Sequence, residues 1–309
     1  MSLISRFGTL FGLLAIIALF SILSPTGFAQ PFNLINITQQ MALLAIVALG
    51  VVFVMAVSEF DLSIGAVVSM AGITSVYLFG QGWSILPTIA VTLAAGFAVG
   101  CVNGLVVSAW RVPSFIMTLA MGTIIGGFTF WLSAGATLFG NIPPAFRDLG
   151  RGYLAGIPVP TLWALGAVLF VTLMLDWTEL GRRMLALGGN REAARLTGVP
   201  VVPTTIKAFG LCSAMAAAAG LLLTAKLGSA HPTGGNGFLL QAYAAVYLGI
   251  TAFRDGQPSA AGTLLGTAII AVVANGLTIL GIPNYMQDVL TGLIIIASVL
   301  VRNVGARAR

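Results

Sequence analysis

The chain has 309 residues, 58% of them hydrophobic and only 7% charged, with a mean hydropathy of +1.04, and this excludes a soluble globular domain, in which about 25% of residues are charged. The net charge of +6 does not indicate nucleic acid, because the basic residues stand singly between apolar runs and form no patch. Cys101 and Cys212 both lie in apolar stretches and suggest neither a disulfide nor a metal site, and no G-x-x-x-x-G-K-[ST] occurs, so any ATP must be handled by a partner.

A membrane span needs about 20 apolar residues. Hydropathy divides the chain into ten, at 7–24, 39–57, 62–80, 85–109, 114–133, 159–177, 207–225, 239–253, 259–280 and 285–301. The expected fold is therefore all-α, a polytopic membrane protein forming one transmembrane domain over residues 1–309. The third and eighth spans are the weakest, and the eighth is short enough to be broken or re-entrant. The first resembles a signal peptide, but its apolar run exceeds the usual length of about 7–15 residues and reads as a membrane anchor.

An amino terminus inside sorts the loops. Arg6, Arg111, Arg182, Arg183, Arg191, Arg195, Lys207, Arg254, Arg302, Arg307 and Arg309 then face the cytoplasm, and Arg147, Arg151 and Lys226 face out. This positive-inside bias supports ten spans with both termini cytoplasmic.

Taken in order, the run SEFDLSIGAVVSMAG (58–72) places Glu59 and Asp61 between two apolar spans. Ionisable groups at membrane depth line wet cavities or sit at boundaries. Asp61 can cap the third helix by accepting from its first N–H groups, or it can act in transport. The pair also raises an ion or proton role, although an interfacial Glu59 facing water would have none. Asn103 and Asn275 lie inside apolar spans, where asparagine usually ties neighbouring helices together.

In RVPSFIMTLAMG (111–122), Pro113 and Ser114 mark a helix start. Phe115 and Thr118 then fall about one turn apart, on one face. The longest external segment, 134–158, contains Pro143-Pro144 followed by AFRDLGRG, the pattern of a short surface helix facing an outside partner. The run NGLVVSAWRVP (103–113) is echoed by NGLTILGIP (275–283), one leaving the membrane inside and the other outside. That is the mark of an inverted repeat, spans two to five against seven to ten.

One long polar segment interrupts the spans, at 178–206. Its centre, LGRRMLALGGNREAARLTGV (180–199), reads as two short helices. Thr178 caps the first and Gly188-Gly189 ends it; Asn190 caps the second, and Gly198 with Pro200 stops it. Ala193 and Ala194 give the second helix a low-profile face suited to a groove on another protein. In the outer loop, His231 has no second ligand beside it and reads as solvated. No nucleophile–base pair or H-E-x-x-H is present, so no catalytic residue is assigned.

The polar segment carries a resemblance. Gly181, Ala186, Gly188, Asn190, Ala193, Ala194 and Gly198 follow the pattern G-x-x-x-x-A-x-G-x-N-x-x-A-A-x-x-x-G, which is similar to the cytoplasmic coupling loop of ABC-importer permeases of the ribose, xylose and autoinducer type. Asp61, Leu62, Ser63 and Gly65 resemble that family's G-I-D-L-S-[VI]-G-S, with Glu59 where glycine is usual. The 111–122 run resembles its [KR]-[IV]-x-x-F-I-x-T-L. GSAHPTGGNGFLLQAYAAVYLGITAF (228–253) resembles a further segment, with Gln241 for an acidic residue, Tyr243 and Tyr247 added, and Ile250 for a glycine.

The resemblance implies a bacterial cytoplasmic-membrane permease that forms a homodimer or a heterodimer with a second permease. It implies a partner ABC ATPase that holds ATP and Mg, and an extracytoplasmic solute-binding protein that delivers a small polar solute, most often a sugar. No cofactor would be bound by this chain. Gly181, Ala186, Gly188, Asn190, Glu192, Ala193, Ala194 and Gly198 would couple to the ATPase. Asp61, Ser63, Asn103, Phe115, Thr118, Gln241 and Asn275 are the candidates for the translocation pathway. The alternative is a self-sufficient secondary transporter or channel using Glu59 and Asp61, but such a protein has no need of an ATPase-docking loop.

Overall fold

The computed structural model describes residues 3–250, 256–283 and scattered positions between 285 and 296. The predicted tenth span at 285–301 falls largely outside the described residues, as do 251–253 of the eighth span and Arg254, Arg302, Arg307 and Arg309.

The described chain is helical almost throughout: α1 (Leu3–Leu23), α2 (Pro31–Ala56), α3 (Ile64–Gly80), α4 (Ile85–Ala109), α5 (Ser114–Ser133), α6 (Pro144–Arg151), α7 (Val159–Thr172), α8 (Glu179–Gly189), α9 (Arg191–Leu196), α10 (Val201–Leu227), α11 (Phe238–Ile250) and α12 (Ala260–Ile279). A π-helical turn, Leu173–Trp177, prolongs α7, and a two-residue hairpin, Tyr153–Leu154 with Ile157–Pro158, precedes it. Six described helices are long and apolar enough to cross a membrane: α2, α4, α5, α7 with its π turn, α10 and α12.

Two predicted boundaries move. Helix α2 starts at Pro31, not residue 39, because proline is preorganised for the first helical turn. Helix α10 starts at Val201, directly after Pro200, so the polar segment ends near residue 200 instead of 206. The surface helix foreseen after Pro143 is α6.

Helices α2 and α10 are the most enclosed spans, and α4, α5 and α7 leave most of their surface outward. The most extensive helix pair is α4 on α10. A Cβ on Gly100 would sit 2.1 Å from the carbonyl oxygen of Phe209, so only glycine lets these two backbones meet. Around α2 and α10 the core is built from fully buried Leu49, Phe53, Ile64 and Phe209.

The halves of the predicted repeat have matching ends. Helix α4 gives way to Arg111 at φ 56°, with Pro113 two residues on; α12 gives way to Gly281 at φ 72°, with Pro283 two residues on. Helix α4 packs on α10 and α12 on α2, an exchange of partners that an inverted pair of units requires.

The eighth span is a single helix, α11, over its described residues, and the irregular chain lies ahead of it. After α10 the chain pairs Ala230 with Leu138 and then runs non-helically beside α3, where Gly235 N–H donates to Ser69 Oγ at 2.9 Å. Helix α11 begins only at Phe238. Its 13 residues rise about 20 Å, against a hydrocarbon core of about 30 Å.

Candidate functional site

The chain reverses between α2 and α3 in a turn, residues 57–63, where most of the predicted polar residues converge. Val57 closes α2. Ser58 then adopts a left-handed φ of 57°, its N–H reaching Met55 O at 3.0 Å and the Glu59 N–H reaching Val54 O at 3.1 Å. This is the paired-bond helix ending usually built on glycine.

The next N–H groups are each taken by a side chain from another helix. Phe60 N–H donates to Ser114 Oγ at 3.2 Å and Leu62 N–H to Thr118 Oγ1 at 3.0 Å, both on α5. Asp61 N–H donates to Tyr243 Oη at 2.7 Å, and that hydroxyl donates back to Asp61 O at 3.2 Å. The Phe60 ring lies against Tyr243, centroids 5.8 Å apart.

The Asp61 carboxylate is wholly buried. One oxygen accepts from Ser63 N–H at 2.9 Å and from Ser63 Oγ; the other accepts from Ser213 Oγ of α10 at 3.2 Å. Asn103 Nδ2 of α4 donates to Ser63 Oγ at 3.0 Å, and Asn103 Oδ1 has no partner among the described residues. Four helices (α4, α5, α10 and α11) thus meet on the turn that joins α2 to α3. Asp61 does not cap α3 as expected: its carboxylate accepts from Ser63 N–H, which lies ahead of the helix, no side chain caps the helix's own N–H groups, and the carboxylate instead ties the turn to α10. A buried polar cluster whose donors are satisfied in this way fixes one relative arrangement of its helices.

On its outer side the turn meets the predicted coupling helices. Thr178 Oγ1 accepts from Gly181 N–H at 3.1 Å and Asn190 Oδ1 from Ala193 N–H at 2.9 Å, so both helices are capped as expected. Gly198, at φ 87°, ends α9. A Cβ on Gly188 would fall 2.3 Å from Ala56 O. Its absence lets α8 approach closely enough for Ser58 Oγ to donate to Gly188 O at 2.9 Å. Arg191 Nη1 pairs with Glu59 Oε1 at 2.7 Å, the side chains being 44% and 15% exposed. On the outer face of α9, Arg195 bonds Glu192 and holds its carboxyl below the usual range.

Several expectations need correction. Ala194 is only 5% exposed and packs into the core, so it turns toward the membrane domain and offers no face to a partner. The outward face of α9 is Glu192, Ala193 and Leu196, and Leu196 is 74% exposed. Phe115 and Thr118 do not share an environment: Thr118 is buried against the turn, and Phe115 points outward from α5. Asn275 stands apart from Asp61, exchanging two amide hydrogen bonds of 2.9 and 3.0 Å with Asn33 of α2. That is the helix-tying role. Gln241 is half-buried, and the residue of α11 that reaches the cluster is Tyr243. Glu59 neither faces open water nor joins Asp61: the two carboxylates share no hydrogen-bond partner. His231 is exposed, as expected, its ring bonding only Thr233 among the described residues.

Ser114 and Ser213 were not identified from sequence as ligands of the turn. Serines are common in tightly packed membrane helices, and nothing local distinguishes these two.

Over residues 33–299 the chain matches the family described as "Branched-chain amino acid transport system / permease component". It is 38% identical over 299 residues to the ribose import permease protein RbsC of Escherichia coli (strain K12), covering 96% of this chain and 92% of that one. The ribose import permease protein RbsC of Bacillus subtilis (strain 168) is 34% identical over 298 residues, with 96% and 92% covered. The D-allose transport system permease protein AlsC of Escherichia coli (strain K12) is 32% identical over 297 residues, with 95% and 90% covered. No solved structure matches. The apolar spans, the capped polar helices between them and this full-length similarity converge on one assignment: the chain belongs to the branched-chain amino acid transport system / permease component family, as a multi-pass membrane permease of the ABC-importer kind.

Proposed function

We propose that this permease carries a sugar into a bacterial cell across the inner membrane, delivered by an extracytoplasmic binding protein and driven by ATP and Mg held on a partner ATPase. The relatives named for ribose, L-arabinose, D-allose and xylose support the solute class. Both termini and α8–α9 lie on the cytoplasmic side, as the distribution of arginines supports. The permease acts as a dimer, with itself or with a second permease.

One observation carries the coupling assignment. Helices α8 and α9 are short, capped and polar, and they are fastened inwardly to the turn that holds Asp61. Outwardly, α9 presents an exposed leucine, Leu196, among charged residues. A leucine so placed suits a groove on a neighbouring subunit. Gly181, Ala186, Gly188, Asn190, Ala194 and Gly198 build and seat these helices, whereas Glu192 and Ala193 join Leu196 on the docking face. ATP-driven movement of the ATPase displaces α9, and the displacement shifts the balance between outward- and inward-facing states. Asp61, Ser63, Asn103 and Thr118 form the junction through which this shift reaches the spans. A secondary transporter using Glu59 and Asp61 is disfavoured, because Glu59 is paired with Arg191.

The test is Leu196→Glu. The variant inserts normally but loses copurification of the ATPase and loses uptake. Undiminished copurification would remove α9 as the docking element. Titrating the cognate binding protein with ribose, allose, xylose and arabinose then identifies the solute.

A further inference from the structure

Glu59 and Arg191 are 132 positions apart in sequence, yet the carboxylate and guanidinium meet at 2.7 Å. They sit at a seam. On one side is the 57–63 turn, whose N–H groups are held by α2, α5 and α11 and whose carboxylate is held by α10. On the other side are α8 and α9. Beside the seam lies a cleft of about 410 Å³ lined by Ser58, Glu59, Phe60, Gly188, Gly189 and Tyr247, among others. The cleft opens beside the close backbone approach of Gly188 to Ala56. Among the described residues, the side-chain bonds that cross the seam are Ser58 to Gly188 and Glu59 to Arg191.

These two bonds differ in what they can transmit. The Ser58 bond ends on a backbone carbonyl of α8. The Glu59 bond ends on the first residue of α9, the helix whose far face carries Leu196. Asp61 is two residues from Glu59, its main chain clamped by Tyr243. A movement of α9 that pulls on Arg191 would thus act on Glu59 and, through two peptide units, on the buried junction. The Glu59 side chain is largely withdrawn from solvent, where a charge-assisted bond is stronger than at an open surface.

We propose that Glu59 is a positioning residue that, with Arg191, latches α9 to the turn carrying Asp61, so that displacement of α9 by the ATPase is passed to the junction of α4, α5, α10 and α11. The proposal rests on the coupling assignment made above, and the test separates the two.

In full-length permease assembled with its ATPase and lacking Cys101 and Cys212, one reporter cysteine is placed at Thr197, exposed beside the docking leucine, and, in a separate protein, one at Phe60, which lines the cleft. Maleimide labelling rates are measured with and without ATP-Mg and vanadate. With Glu59 and Arg191 intact, the ATPase protects the reporter at 197 and nucleotide changes the rate at 60 by about fivefold, the response to a coupling of about 1 kcal/mol. Glu59→Gln, which keeps size and removes charge, and Arg191→Gln, which removes the charge, each abolish the response at 60 and leave protection at 197 unchanged. The exchanged pair Glu59→Arg with Arg191→Glu restores the response.

A response at 60 that persists in Glu59→Gln, that is absent with the native pair, or that the exchange fails to restore would overturn the latch. Absence of protection at 197 would instead overturn the coupling assignment itself.

Discussion

Asp61 can be tested by two substitutions that differ in what they leave behind. Its carboxylate accepts three hydrogen bonds, from Ser63 N–H, Ser63 Oγ and Ser213 Oγ. Asparagine retains one oxygen, which can still serve Ser63. Its amide group then faces Ser213 Oγ, a hydroxyl able to accept as well as donate. Alanine retains nothing, and three buried donors lose their acceptor. At about 1 kcal/mol for each bond lost, Asp61→Ala should cost about 3 kcal/mol, and Asp61→Asn about 1 kcal/mol or less. Denaturation of the purified permease in detergent measures the first difference. Uptake into proteoliposomes containing the ATPase and binding protein measures its consequence. Asp61→Asn should fold and transport, whereas Asp61→Ala should be destabilised and inactive. If Asp61→Asn were as unstable as Asp61→Ala, the bond count would be wrong. If it were fully stable but inactive, the charge itself would be required, and the junction would be more than a fastening.

Gly188→Ala should push α8 from α2, because the added methyl lies against Ala56 O, at a cost of about 1–3 kcal/mol; faster tryptic cleavage at Arg182 and Arg183 in inside-out vesicles would show it, and unchanged cleavage would count against so close an approach. Asn275→Leu should cost about 1 kcal/mol, Asn33→Leu more because Asn33 also donates to Phe28 O, and the double variant scarcely more than Asn33→Leu, because the pair of bonds between them is lost in either single variant. Additive losses in the same denaturation assay would mean that the two asparagines act separately.

The features legible in the sequence were local ones. Spans are recognised because a hydrocarbon core demands a continuous apolar run, and α2, α4, α5, α7, α10 and α12 all satisfy that demand. The caps at Thr178 and Asn190 were legible because a cap joins residues three apart, a distance set by the helix itself. Which way each helix faces was not. In a soluble helix the polar stripe marks the outside. In a membrane helix the lipid-facing and protein-facing sides are both apolar, so nothing in the run 114–133 told that Thr118 is buried while Phe115 is outward. Ala194 misled for a related reason: a small residue packs equally well against a partner subunit or against its own core, and here it packs against the core. The contacts that define the junction, Asp61 with Ser213 and Tyr243, Asn103 with Ser63, and Glu59 with Arg191, join residues 40 to 182 positions apart. Polar groups withdrawn from water must find one another, but their individual partners are chosen only when α4, α5, α10 and α11 close around the turn.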